Sequence, residues 1–73
     1  MEEAHYNLGI LAGRAGRQGE GFYHLGRAFM LRGEFDKALS QYRKAEPLLP
    51  AGSERARQVH SEISELSAYA RMH

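Results

Sequence analysis

An all-α fold of four antiparallel helices is what this 73-residue sequence predicts. Apolar residues recur at three- and four-residue spacing, glycine and proline separate the periodic segments, and no run alternates as a strand would. Helices joined by such short turns are expected to run antiparallel to their neighbours.

The first helix is expected from about Glu3 to Ala15, with Ala4, Leu8, Leu11 and Ala12 on one stripe. It should end in the glycines Gly13, Gly16, Gly19 and Gly21, which weaken its last turn. The second runs from about Glu20 to Arg32 on the stripe Phe22, Leu25, Phe29 and Arg32, and Gly33 stands where a left-handed stop belongs. Tyr23, Met30 and Leu31 lie off that stripe, so this helix should touch neighbours on two sides.

A third helix from about Phe35 to Ala45 is expected to bury Phe35, Ala38, Leu39, Tyr42 and Ala45, and Pro47 to end it, because the residue before proline avoids helical geometry. Leu48, Leu49 and Pro50 form an apolar turn. Ser53 is then the N-cap of a last helix whose Ala56, Val59, Ile63, Leu66 and Ala70 repeat at spacings of three and four. Its polar side carries Glu54, Arg57, Glu62 and Arg71.

So short a chain buries only about 60% of the surface its unfolded form exposes. It has no cysteine, so neither disulfides nor a thiolate zinc site can staple it. Ten basic against nine acidic residues leave a net charge of +1, which makes no electrostatic case for nucleic acid or an anionic membrane. The longest apolar runs are far short of the roughly 20 residues that span a bilayer, and the acidic start Met1-Glu2-Glu3 does not suit a signal peptide. The expectation is a soluble domain without membrane insertion, a piece of a larger protein.

One helical hairpin type is recognised by a fixed order of large and small residues over about 34 positions. Phe22, Leu25-Gly26 and Phe29 stand at the spacings of its aromatic, Leu-Gly and tyrosine positions, followed by Ala38, Tyr42 and Pro50 at those of its alanine, aromatic and proline. Gly26 and Ala38 are small where two helices would cross, while Phe22, Phe29 and Tyr42 fill the adjoining space. The segment 19–52 thus resembles the tetratricopeptide repeat family, whose members stack such hairpins and bind peptides or proteins on the concave face.

That resemblance implies antiparallel hairpins in a right-handed solenoid fragment, and divides the chain into a partial repeat helix at 1–18, a full hairpin at 19–52 and a capping helix at 53–73. Leu8-Gly9 lies half a repeat before Leu25-Gly26. The first helix therefore either closes an upstream hairpin or opens one with the second helix.

A wider resemblance rests on the run Leu11-Ala12-Gly13-Arg14-Ala15-Gly16-Arg17-Gln18-Gly19-Glu20-Gly21, on Leu31-Arg32-Gly33-Glu34-Phe35 with Ala38-Leu39, and on Gly52-Ser53. Together these resemble the C-terminal tetratricopeptide region of bacterial M48-type zinc metalloproteases of the beta-barrel assembly-enhancing kind. The resemblance implies a substrate-recognition appendage in the periplasm, the cutting being done by a separate domain with His-Glu-x-x-His. No such motif stands in this sequence. Without that resemblance the cytoplasm is the expected compartment.

No residues point to catalysis, a metal or a cofactor. His5, His24, His60 and His73 are the histidines, and none sits three or four residues from another as a helical zinc pair requires. Ser53 near Glu54 and His60 lies at a helix start, where serine is ordinarily a cap. The glycines from Gly9 to Gly21 follow no strand and precede no Gly-Lys-Ser or Gly-Lys-Thr, so they are turns and packing notches, not a phosphate loop. Arg14, Arg17 and Arg27 form a locally basic patch.

The residues that the resemblance turns toward a partner protein or peptide are Tyr23, Arg27, Met30 and Leu31 of the second helix, with Tyr6 and Ile10 of the first. Tyr23 and Arg27 occupy the places where some family members clamp a C-terminal carboxylate with lysine and asparagine, so that mode is not expected. Two other readings of the chain are the protease appendage and a self-associating repeat, a homodimer formed through an exposed first helix.

Overall fold

The structure, a computed structural model, describes residues 2–72, with side chains described for residues 14–72. The chain is all-helical over these residues: α1 spans Glu2–Leu31, α2 Phe35–Ala45 and α3 Glu54–Met72, with a 3-10 turn at Glu46–Leu48. The helices number three rather than the expected four, because α1 passes without a break through the glycines placed between the first and second helices. Ala4, Tyr6, Leu8, Ile10, Leu11 and Ala12 lie outside the described side chains. Glycine lowers helix stability without forbidding the conformation, and one of these glycines, Gly19, is packed closely against Leu49.

The turn after α1 is a complete left-handed stop. Gly33 takes φ +75°, the Gly33 N–H donates to the Met30 carbonyl at 3.0 Å, and the Glu34 N–H donates to the Phe29 carbonyl at 2.9 Å. Those two bonds satisfy carbonyls that the helix end would otherwise orphan. Three residues thus separate α1 from α2, which runs back along it: Gly26 faces Tyr42, and Gly19 faces Leu49.

Close approach at these two glycines sets the interhelical distance. A β-carbon at Gly26 would lie 2.6 Å from the Tyr42 ring, and one at Gly19 2.9 Å from the Leu49 side chain and 3.2 Å from the backbone of Leu48. The glycines form the centre of the buried face of α1, and Leu25, expected there, is 49% exposed. Arg32 is exposed too. Phe22, Tyr23, Phe29 and Met30 flank the glycine line and pack against a core of Ala38, Tyr42, Ala45, Leu49, Val59 and Leu66.

α2 buries Ala38, Tyr42 and Ala45 as its periodicity requires, with Asp36 in the first turn and Arg43 and Lys44 in the last, where each charge complements the helix dipole. Leu39 is only partly buried and Phe35 is 37% exposed, because both lie toward the end of the molecule that α3 covers incompletely. Pro47 does not turn the chain out. Glu46 before it stays helical at φ −53°, ψ −51°, and the proline enters the first turn of the 3-10 segment, where it needs no N–H donor. The break falls instead at Leu49, φ −90° and ψ 147°, the residue before Pro50.

α3 begins with the expected cap: the Ala56 N–H donates to Ser53 Oγ at 3.2 Å. It runs antiparallel to α2, with His60 Nδ1 3.2 Å from Glu46 Oε2 and the Phe35 and Tyr69 rings in edge contact at 5.5 Å. Val59 and Leu66 are buried and Ala56 and Ile63 packed, but Ala70 is exposed, one helical turn beyond the last core residue. No helix among the described residues is long and apolar enough to cross a membrane.

The glycines of α1 should separate into two classes. Gly26→Ala and Gly19→Ala each force a methyl into occupied space and should lower stability by about 1–3 kcal/mol, the usual range for overpacking. Gly16 and Gly21 have nothing within 4 Å of an added β-carbon, so Gly16→Ala and Gly21→Ala should raise stability by roughly 0.5–1 kcal/mol. Urea denaturation of the four variants checks this, and equal effects at all four sites would contradict it.

Candidate functional site

Tyr23 and Arg27 sit one turn apart on α1 and face α3. Together with Glu54, Arg57, Gln58, Ser61 and Glu62 of α3 they line an open groove of about 560 Å³ between the two helices. Glu54, Arg57 and Glu62, expected on the polar side of the last helix, make one wall of this groove, with Glu54 and Arg57 exposed. Their role was hidden in the sequence because which flank of α3 meets α1 depends on where α3 docks.

One contact fixes the groove at its end near the start of α3. Arg55 Nε donates to Glu20 Oε1 at 2.9 Å, Arg55 Nη1 donates to Gln58 Oε1 at 2.8 Å, and the guanidinium lies 4.0 Å from the centre of the Tyr23 ring. The hydrogen bond to Glu20 raises the Arg55 pKa further, so the cation over the aromatic face is permanent. Neither Arg55 nor Glu20 stood out in the sequence, since their 35-residue separation carries no local pattern.

Beneath the groove lies Tyr42, fully buried, its ring 6.1 Å from that of Tyr23. Its hydroxyl finds no hydrogen-bond partner among the described residues. Burial pushes the pKa of this phenol above its ordinary value of 10.0 and Glu62 adds to the rise, while the Arg27 guanidinium opposes it.

The remaining residues singled out by sequence are dispersed. Met30 packs against the core, and Leu31, 85% exposed, stands at the end of α1. Tyr6 and Ile10 lie outside the described side chains. Arg17 and Arg27 do not share a patch: Arg17 borders a different groove, with Gly16, Glu20, Leu49, Pro50, Ser53 and Arg55, and Arg14 is exposed on α1 apart from both grooves.

His24 lies 3.7 Å from Glu20, His60 pairs with Glu46, and His5 and His73 fall outside the described side chains. Among the described residues no three histidine, aspartate or glutamate side chains gather as a metal site would need. No family model, curated protein or solved structure matches this chain.

The buried phenol makes a pH prediction with a definite sign. Its pKa is raised in the fold, so the stabilisation is fully present below the unfolded value of about 10 and is lost as pH rises through the folded value. Tyr42→Phe should therefore flatten the loss of thermal stability above that pH. At neutral pH, removing an unpartnered buried hydroxyl should change stability by no more than about 1 kcal/mol. An alkaline melting profile identical to that of the parent would contradict this account.

Proposed function

We propose that this chain is a protein-interaction module, a tetratricopeptide-type hairpin with a following cap helix, and that it holds an extended peptide in the groove between α1 and α3. The observation that carries the reading is a pair of guanidinium groups, Arg27 from α1 and Arg57 from α3, on opposite walls of one groove. Neither makes an ion pair among the described residues, whereas Arg55 and Arg32 do. Two guanidiniums without a carboxylate partner among the described residues offer forked donors to a carboxylate, the geometry arginine recognises best.

The neighbouring groups define the peptide further. Glu54 and Glu62 supply acceptors beside the arginines, and Gln58 and Ser61 supply both donors and acceptors suited to a peptide main chain. Tyr23, held by Arg55, gives a rigid aromatic surface with little ordering cost on binding. The matching occupant is a segment with an acidic side chain followed by a neutral or basic one.

Support for the tetratricopeptide reading comes from the close contact at Gly26 and the full burial of Ala38, both of which such a hairpin requires. The test is an array of random-sequence peptides probed with the parent chain and with Arg27→Glu and Arg57→Glu. Acid-containing peptides should lose on the order of tenfold or more in affinity, the effect of about 1.4 kcal/mol. Arg43→Glu, on an exposed part of α2 away from the groove, is the control. Equal binding by all four proteins would end the proposal.

A further inference from the structure

Aromatic rings in this fold are met by cations. Among the described side chains of α1, Phe22 lies 5.8 Å from Lys44 Nζ, Phe29 lies 5.8 Å from Lys37 Nζ, and Tyr23 lies 4.0 Å from the Arg55 guanidinium. Tyr42 is fully buried. Phe35, 37% exposed at the start of α2, carries no cation among the described residues. The face of an aromatic ring is negative and attracts positive charge, so this ring is an open acceptor.

Phe35 stands in an open groove of about 590 Å³ at the end of the molecule where α1 and α3 finish and α2 begins, with Glu34, Asp36, Leu39, Leu66 and Tyr69 on its walls. Tyr69 meets the Phe35 ring in edge contact, the centres 5.5 Å apart and the planes inclined at 67°, which restrains the ring before any ligand arrives. Lys37 also lines the groove, but its ammonium is held 3.3 Å from Glu34 Oε1 and lies over the Phe29 ring. Arg32 Nε is 3.9 Å from the other oxygen of Glu34, so that carboxylate is already neutralised. Arg71, beyond Ala70, turns back to donate to the Ser67 carbonyl at 3.4 Å.

Asp36 is exposed and makes no ion pair among the described residues, which leaves one uncommitted negative charge beside the ring. The helix ends add to it. Two C-termini against one N-terminus give this end of the molecule a surplus of negative dipole.

We propose that this groove binds an arginine side chain of a partner protein, its guanidinium stacked on Phe35 and its N–H groups donated to Asp36. A planar guanidinium meets both demands at once, because it lies flat on an aromatic face and offers parallel donors to a carboxylate. A lysine ammonium is a strongly hydrated point charge and has no face to stack. Leu39 and Leu66 supply apolar wall for the methylene stem. The site is separate from the groove between α1 and α3 and does not depend on what binds there.

The probe is the peptide acetyl-Gly-Arg-Gly-amide, titrated into the full chain labelled with nitrogen-15. It has no carboxylate for Arg27 and Arg57 to hold, so its binding and that of an acidic peptide in the other groove stand or fall separately. Saturable amide shifts should appear at residues 33–39 and 66–70, and the citrulline analogue, of the same shape without the charge, should produce none. Phe35→Leu keeps the apolar bulk and removes the ring face, and should weaken binding about two- to fivefold, the range for a cation on an exposed ring. Asp36→Asn, at an exposed position, should weaken it on the order of fivefold or more.

Absence of saturable shifts overturns the proposal, and so do shifts that fall at residues 23–27 and 54–62 instead. An equal response to the citrulline peptide, or undiminished binding by Asp36→Asn, overturns it as well. If the leucine variant does not fold, the asparagine variant decides alone. A lysine peptide that binds as tightly as the arginine peptide refutes the assignment of a guanidinium.

Discussion

Contact between the backbone of α1 at Gly26 and the ring of Tyr42 is the constraint on which the rest of this small fold depends. With six buried apolar residues among those described, the core cannot tolerate a gap between its helices, and the missing side chain at position 26 is what lets a full aromatic ring approach the helix backbone closely. Tyr42 in turn touches the neighbourhood of both flanking helices: Tyr23 and Arg27 on α1 act on it from one side and Glu62 on α3 from the other. Groove and core are therefore linked, because Tyr23 of the groove packs on Tyr42, one of the two largest fully buried side chains.

Much of this arrangement was legible in the residues. The small-and-large order of Gly26, Ala38 and Tyr42, the stop at Gly33 and the cap at Ser53 are local chemistry, and each is written within a few positions of where it acts. The boundary between the first two helices was not legible, because glycine reports a weakness in a helix and not its end. Pro47 misled for a related reason. A proline restrains its predecessor but is well suited to the first turn of a helix, and only the following Pro50 coincides with extended backbone at Leu49.

The groove was half visible. Tyr23 and Arg27 lie on α1 in a hairpin whose geometry the sequence constrains, so their common orientation could be anticipated. The wall contributed by α3 could not, since the polar residues of an amphipathic helix look alike until the docking angle is known. Arg55 is the clearest case. It bridges Glu20, Gln58 and the Tyr23 ring across two helices, and each of those partners is ordinary in its own segment.

Gly19 and Gly26 are seven residues apart, and so are Tyr42 and Leu49, the residues they receive. Seven residues advance a helix by about two turns and roughly 10 Å, so the pair of contacts acts as two rungs on a common ladder. A single rung would leave one helix free to roll about its axis against the other; two rungs block rolling as well as sliding. The 3-10 turn supplies the small phase correction that puts Leu49 on the second rung instead of a little to one side. Rotational locking of this kind holds the α1 wall of the groove at a constant aspect, leaving the width of the groove to vary only with the seating of α3.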